Sequence, residues 1–225
     1  MNQFFSTSKL AIRILITLSL LVSLAIMVVK IDPSDAIAFE SGFSIRNSGL
    51  EVREFERCRN SIDAILRQMP SDLTEGLEQI IIHSEAQTRR GLATQSEIYL
   101  RCLDDKTELQ AVFVHELAHI IELNWFSETE LTDSPFGKTT NRNDYVSGYA
   151  MSDRFEDFAE SFALYYLYGQ TFRQQMQGNE QLEAKYNFVK YHVFAGAEFQ
   201  LGKSNQRKTA LISDIFDITK LHTFL

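Results

Sequence analysis

His115-Glu116-Leu117-Ala118-His119 places two imidazoles four residues apart with a carboxylate next to the first. On a helix this spacing puts both rings on one face, where two ring nitrogens can reach a single ion. A catalytic zinc ion takes three nitrogen or oxygen ligands from the protein and keeps one position open, and a carboxylate that does not bind it can take a proton from water. The pentapeptide supplies two ligands and a proton acceptor, Glu116, and lacks the third ligand. Composition alone would produce these residues at these spacings in roughly 1% of chains of this length. Ala-Val-Phe-Val precedes the motif and Ile-Ile follows it, so the alternative of incidental core histidines would leave three polar groups in apolar surroundings at a high desolvation cost.

A third ligand must come from elsewhere, and Glu122, Glu156, Asp157, Glu160 and His192 are the candidates. The segment Phe155 to Tyr168 stands out because Glu156 and Glu160, four residues apart and so on one helical face, are set among aromatic residues. One can bind the metal while the other accepts a hydrogen bond from the far nitrogen of a ligating histidine. Competing roles are a capping box with Asp153 for Glu156, and a solvated helix position for Glu160. Glu122 has an alternative in solvent or the following loop. His83, His192 and His222 fall in no ligand-like spacing and read as structural.

The elements that must position these groups follow from periodicity and punctuation. From Ser48 as N-cap, Leu50, Phe55, Cys58, Ile62, Ile65 and Leu66 recur at helical spacing until Pro70. Leu77 to Ser84 and Gly91 to Leu103 read as two strands on either side of the polar stretch 85–90. A helix over Leu109 to Leu123 carries the two histidines, with Thr107 and Gln110 offering a capping box after Asp104 and Asp105. Residues 124–147 read as a long irregular loop, a length that is usually functional or disordered. Further helices are expected from Arg154 to Tyr168, capped by Asp153 and stopped by Gly169, from Asn179 to Phe194, and from Lys208 to Leu221. No internal repeat is evident. The class is α+β, a small sheet packed on helices.

Val146-Ser-Gly-Tyr-Ala-Met-Ser-Asp-Arg-Phe-Glu-Asp-Phe-Ala-Glu-Ser-Phe-Ala-Leu-Tyr165, taken with His115 to His119, resembles the anthrax-lethal-factor-like zinc peptidase domain, a branch of the gluzincins. The resemblance is firm over about 97–166 and softer at 185–194 and 49–68. It implies a zincin-like fold, with zinc held by His115, His119 and Glu156, Glu116 as general base, and Tyr149 assisting catalysis. Glu160 matches the position whose carboxylate orients the first zinc histidine. The toxin's binding and translocation domains have no counterpart, so its substrate does not transfer.

Composition narrows partner and compartment. Lys and Arg number 22 against 30 Asp and Glu, a net charge of −8, with no cationic cluster beyond the scattered Lys203, Arg207 and Lys208, so nucleic acid is not an expected partner. Lys9 and Arg13 precede the apolar run Ile14 to Val29, the layout of a secretory signal or signal anchor. Ala36-Ile37-Ala38 has the small residues of a cleavage site, which would leave 39–225 as a single exported domain. The run is also at the lower edge of a membrane span of about 17–25 residues, so an uncleaved anchor is the other expectation, and the membrane is a partner only through this segment. Cys58 and Cys102 can pair in an oxidising compartment or stand as two reduced buried thiols. Together these readings predict an exported zinc endopeptidase acting on a protein or peptide, with Gly91 to Arg101 as the edge strand beside the cleft. The competing reading is a catalytically weak zinc-binding interaction module on a peptidase scaffold.

Overall fold

A computed structural model describes residues 42–84 and 89–199. The expected signal or anchor at 1–38, the helix expected over 208–221 and His222 lie outside the described residues. Within them the architecture is α+β: four strands in one sheet and five α-helices. In chain order these are β1 (Ser44–Ser48), α1 (Val52–Leu66), β2 (Gln79–His83), β3 (Gly91–Ala93), β4 (Glu97–Arg101), α2 (Lys106–Trp125), α3 (Glu128–Asp133), α4 (Arg154–Gln175) and α5 (Glu180–Phe188). A π-helical turn, Val189–Val193, follows α5.

The sheet runs β1-β2-β4-β3, with β1, β2 and β4 mutually parallel and β3 antiparallel at one edge. Parallel neighbours need a crossover, and α1 is the one between β1 and β2. Ile80 and Ile82 stand beside Ile98 and Leu100, which in turn stand opposite Ala93 and Gly91. This shared face is fully buried at its four large residues and covers α2. A Cβ at Gly91 would lie 2.7 Å from Val112 on α2, so the edge strand approaches the helix closely only because residue 91 has no side chain.

Several expectations are corrected at their ends. Ser48 closes a strand and caps no helix. The Asn47 side chain bonds both the N–H and the carbonyl of Leu50 at 2.9 Å, and Gly49 turns the chain at φ 83°, so α1 starts only at Val52. The single strand expected over 91–103 is two, joined where Thr94 bonds back to Glu97. Asp105 caps α2, accepting the N–H groups of Thr107 and Glu108 at 2.7 and 3.0 Å, and replaces the expected Thr107–Gln110 box. Gln110 instead donates to the Ser61 carbonyl on α1.

The long loop contains α3, closed by a capping box between Ser127 and Glu130. Asp153 caps α4 as expected, but the helix runs past Gly169, with only Tyr168 leaving helical geometry (φ −140°, ψ 44°). Glycine at 169 serves a close approach, since a Cβ there would lie 2.7 Å from the Phe199 carbonyl oxygen. Cys58 and Cys102 are joined in a disulfide with Cα atoms 5.7 Å apart, tying α1 to the residue after β4.

Candidate metal centre

The centre forms where α2 crosses α4. α2 is apolar nearly all round, and His115 and Glu116 are buried in its middle among Phe113, Val114, Leu117 and Ala118. α4 is apolar in its middle, with Phe158, Ala159, Phe162 and Ala163 buried on either side of Glu160. Two apolar helices pack tightly, and this brings the polar side chains they share into one water-poor place. Glu156 enters from the first turn of α4, which Asp153 fixes by accepting the Glu156 N–H at 3.0 Å.

His115, His119 and Glu156 each offer one ligand atom, and those atoms lie within 4.8 Å of one another. Glu156 Oε2 is 3.0 Å from His115 Nε2 and 3.5 Å from His119 Nε2, yet it is buried with no donor aimed along a hydrogen-bond direction. Three electron-pair donors that face a common point without satisfying one another form a set that can hold a metal ion. The mixture of two imidazoles and one carboxylate suits a borderline cation.

The surrounding shell orients these groups. His115 Nδ1 lies 2.8 Å from Glu160 Oε1, and the other Glu160 oxygen accepts the Ser147 hydroxyl at 2.6 Å. Ser147 in turn accepts the Ala150 N–H at 3.1 Å, which fixes the turn carrying Tyr149. Tyr149 stacks on the His115 ring (centroids 5.6 Å apart, 18° between planes) and donates its hydroxyl to Glu156 Oε1. Glu116 is not one of the ligand set and lies against β3. Its Oε1 would be 2.4 Å from a Cβ on Gly91, and its carboxylate lies near the Ala93 backbone.

Charge follows this geometry. Burial opposes protonation of His115, but the adjacent Glu156 and Glu160 carboxylates outweigh it and hold the imidazole well above its ordinary range. Burial also opposes the charge on Glu156, and the two imidazoles with Tyr149 overcome it, leaving this carboxyl far below the carboxylate range. Glu116 goes the other way. Desolvation raises it, against the pull of His115 and His119. Burial and the Glu156 contact push the Tyr149 hydroxyl far above an ordinary phenol.

All six residues singled out from the sequence, His115, Glu116, His119, Tyr149, Glu156 and Glu160, therefore meet at one place. The competing roles do not hold: the Glu156 side chain faces the imidazoles and leaves capping to Asp153, and Glu160 is only 3% exposed. Glu122 is a correction, since it reaches neither solvent nor the loop and is fully buried against Arg154 Nη1 at 2.8 Å. Asp157 pairs with Lys185, and His192 stacks on Phe188 with centroids 4.5 Å apart, so neither supplies a ligand. Ser147 and Gly91 are additions. No spacing rule marks a lone loop serine or a strand glycine, and their roles exist only once the helices have packed. No protein-family model matches the chain, and a search of curated proteins finds no match.

Proposed function

We propose that the protein is a zinc-dependent endopeptidase of zincin-like fold, exported across the cytoplasmic membrane and acting there on a protein or peptide. The observation that carries this reading is Glu116, a buried carboxylate that follows a ligand of the three-residue set without belonging to it and lies against the edge strand. The resemblance of residues 146–165 to the lethal-factor-like peptidase segment supports it. Bound by His115, His119 and Glu156, zinc supplies Lewis acidity toward a water molecule and the scissile carbonyl.

The chain's own residues do the rest. Glu116, raised by burial, takes a proton from the attacking water and delivers it to the leaving amine. Tyr149 moves its hydroxyl from Glu156 to the oxygen that gains charge when the carbonyl is attacked, while its ring stays stacked on His115. Arg90 and Thr94 bond to β4, so by antiparallel alternation the backbone groups of Gly91 and Ala93 point away from it. These groups offer an extended peptide a short edge to pair with. A module that only bound zinc would need neither the non-ligating Glu116 nor the Tyr149 hydroxyl.

The test uses protein loaded with one equivalent of zinc and an unfolded casein chain as substrate. Cleavage that stops on chelation and returns with zinc supports the reading. One bound zinc per chain with no hydrolysis of casein or of a mixed peptide library would leave the binding module in its place.

A further inference from the structure

Asp157 directly follows the ligand Glu156 but faces away from the metal set, toward α5. There its carboxylate meets Lys185, and both side chains are completely buried. Lys185 Nζ lies 2.8 Å from Asp157 Oδ1 and 2.7 Å from Oδ2, donates to the Asp144 carbonyl at 2.6 Å, and sits 4.2 Å above the Tyr145 ring. Asp157 Oδ2 also accepts the Gly137 N–H at 3.0 Å. The start of α5 adds two more ties: Asn179 Nδ2 donates to the Asn143 carbonyl at 2.9 Å, and Gln181 Nε2 to the Pro135 carbonyl at 2.6 Å.

Apart from the ion pair itself, each of these contacts lands on 135–145, the stretch that leads directly into Ser147 and Tyr149. A buried ion pair is a weak source of stability, because desolvation offsets much of its attraction and apolar residues of similar size often do as well. Apolar residues could not, however, hold the Asp144 carbonyl and the Gly137 N–H. The pair therefore has a geometric task that packing alone would leave undone.

We propose that Lys185 is a positioning residue for the metal centre. Through its buried pair with Asp157 it fastens the Asp144–Tyr149 segment to the first turn of α4, and so holds Ser147 on Glu160 and Tyr149 on Glu156. Its effect on turnover rests on the peptidase reading, whereas the fastening of the loop does not.

Hydrogen exchange by mass spectrometry, run on the full chain with and without zinc, separates the two. The variants are Lys185→Met, the apolar pair Asp157→Leu with Lys185→Met, and Lys185→Gln, which keeps a donor for the Asp144 carbonyl. The expected result is exchange over 139–150 at least tenfold faster in the pair variant, near-wild-type protection of α2 and α4, retained zinc, and partial restoration in Lys185→Gln. Casein turnover by the zinc-loaded pair variant should fall at least tenfold, and adding Tyr149→Phe should cost little more. Unchanged exchange over 139–150 would overturn the proposal. So would protection lost equally from α2 and α4, or failure of both Lys185 variants to fold, since the pair would then be a general stability element. If the exchange pattern holds but wild type cleaves nothing, the fastening stands and the peptidase reading falls.

Discussion

Glu116 and Glu156 are the same residue type at one site, and their surroundings assign them opposite tasks. Glu156 faces two imidazoles that hold it charged, which suits a ligand, whereas Glu116 is raised by burial beside the edge strand, which suits a group that must accept a proton and give it up again. Glu116→Gln should keep one zinc per chain and lower casein turnover by about 10²–10⁴ fold, read from metal analysis and initial rates on one preparation. Tyr149→Phe should keep both zinc and thermal midpoint while kcat falls about 10²–10³ fold, the loss usual for one oxyanion donor. A packing role alone would reverse that pattern, with a lower midpoint and little change in rate. Glu160→Gln should weaken zinc by roughly 10–100 fold in a competition titration, because it orients His115 without touching the ion. Ser147→Ala acts one step further out and should weaken it less.

At the scale of elements, α2 and α4 are joined by a second polar contact, Glu122 with Arg154 at 2.8 Å, near the C-terminal end of α2. Burial pushes Glu122 up to about 8, with Arg154 opposing. The folded chain therefore keeps this proton longer than the unfolded chain, whose glutamate releases it near 4.5. Between those values stability falls as pH rises, and below them nothing is lost, because both states are protonated. Glu122→Gln removes that slope, so its thermal midpoint should drop less between pH 5 and pH 8 than that of wild type. Equal drops would show that Glu122 stays ionised on Arg154 throughout. What the sequence makes legible at this scale is uneven for a physical reason. Long helices with apolar faces and side-chain caps, α2 and α4, announce themselves, and the two histidines are readable because their spacing is a property of the helix alone, whereas the choice of Glu156 among the candidate third ligands comes from the resemblance of its segment. β1 is short, mostly polar and recognisable only by its pairing with β2, and Gly169 resembles a helix stop until the chain at Phe199 is seen lying against it. The Lys185–Asp157 pair joins residues 28 apart, a relation that no local pattern carries.

For the whole molecule, the sheet and α2 form one half of the site, and α4 with the Ser147–Tyr149 segment before it forms the other. The Cys58–Cys102 disulfide lies in the first half, closing a loop of 44 residues between α1 and the end of β4. Loop-closure entropy makes it worth about 4 kcal/mol, so Cys102→Ser should lower the denaturant midpoint accordingly while leaving zinc content intact in the folded protein. Loss of zinc together with the bridge would mean that α2 itself is displaced. The bridge also suits the oxidising compartment that the apolar segment at 14–29 anticipates. The claim on which all of this rests is that Glu116 turns a metal site into a hydrolase, and it is tested by comparing the new protein N-termini that zinc-loaded wild type and zinc-loaded Glu116→Gln release from a mixture of exported proteins. A defined set of cleavage sites made by wild type and missing with the variant is the predicted result. Identical sets at equal zinc occupancy would contradict it.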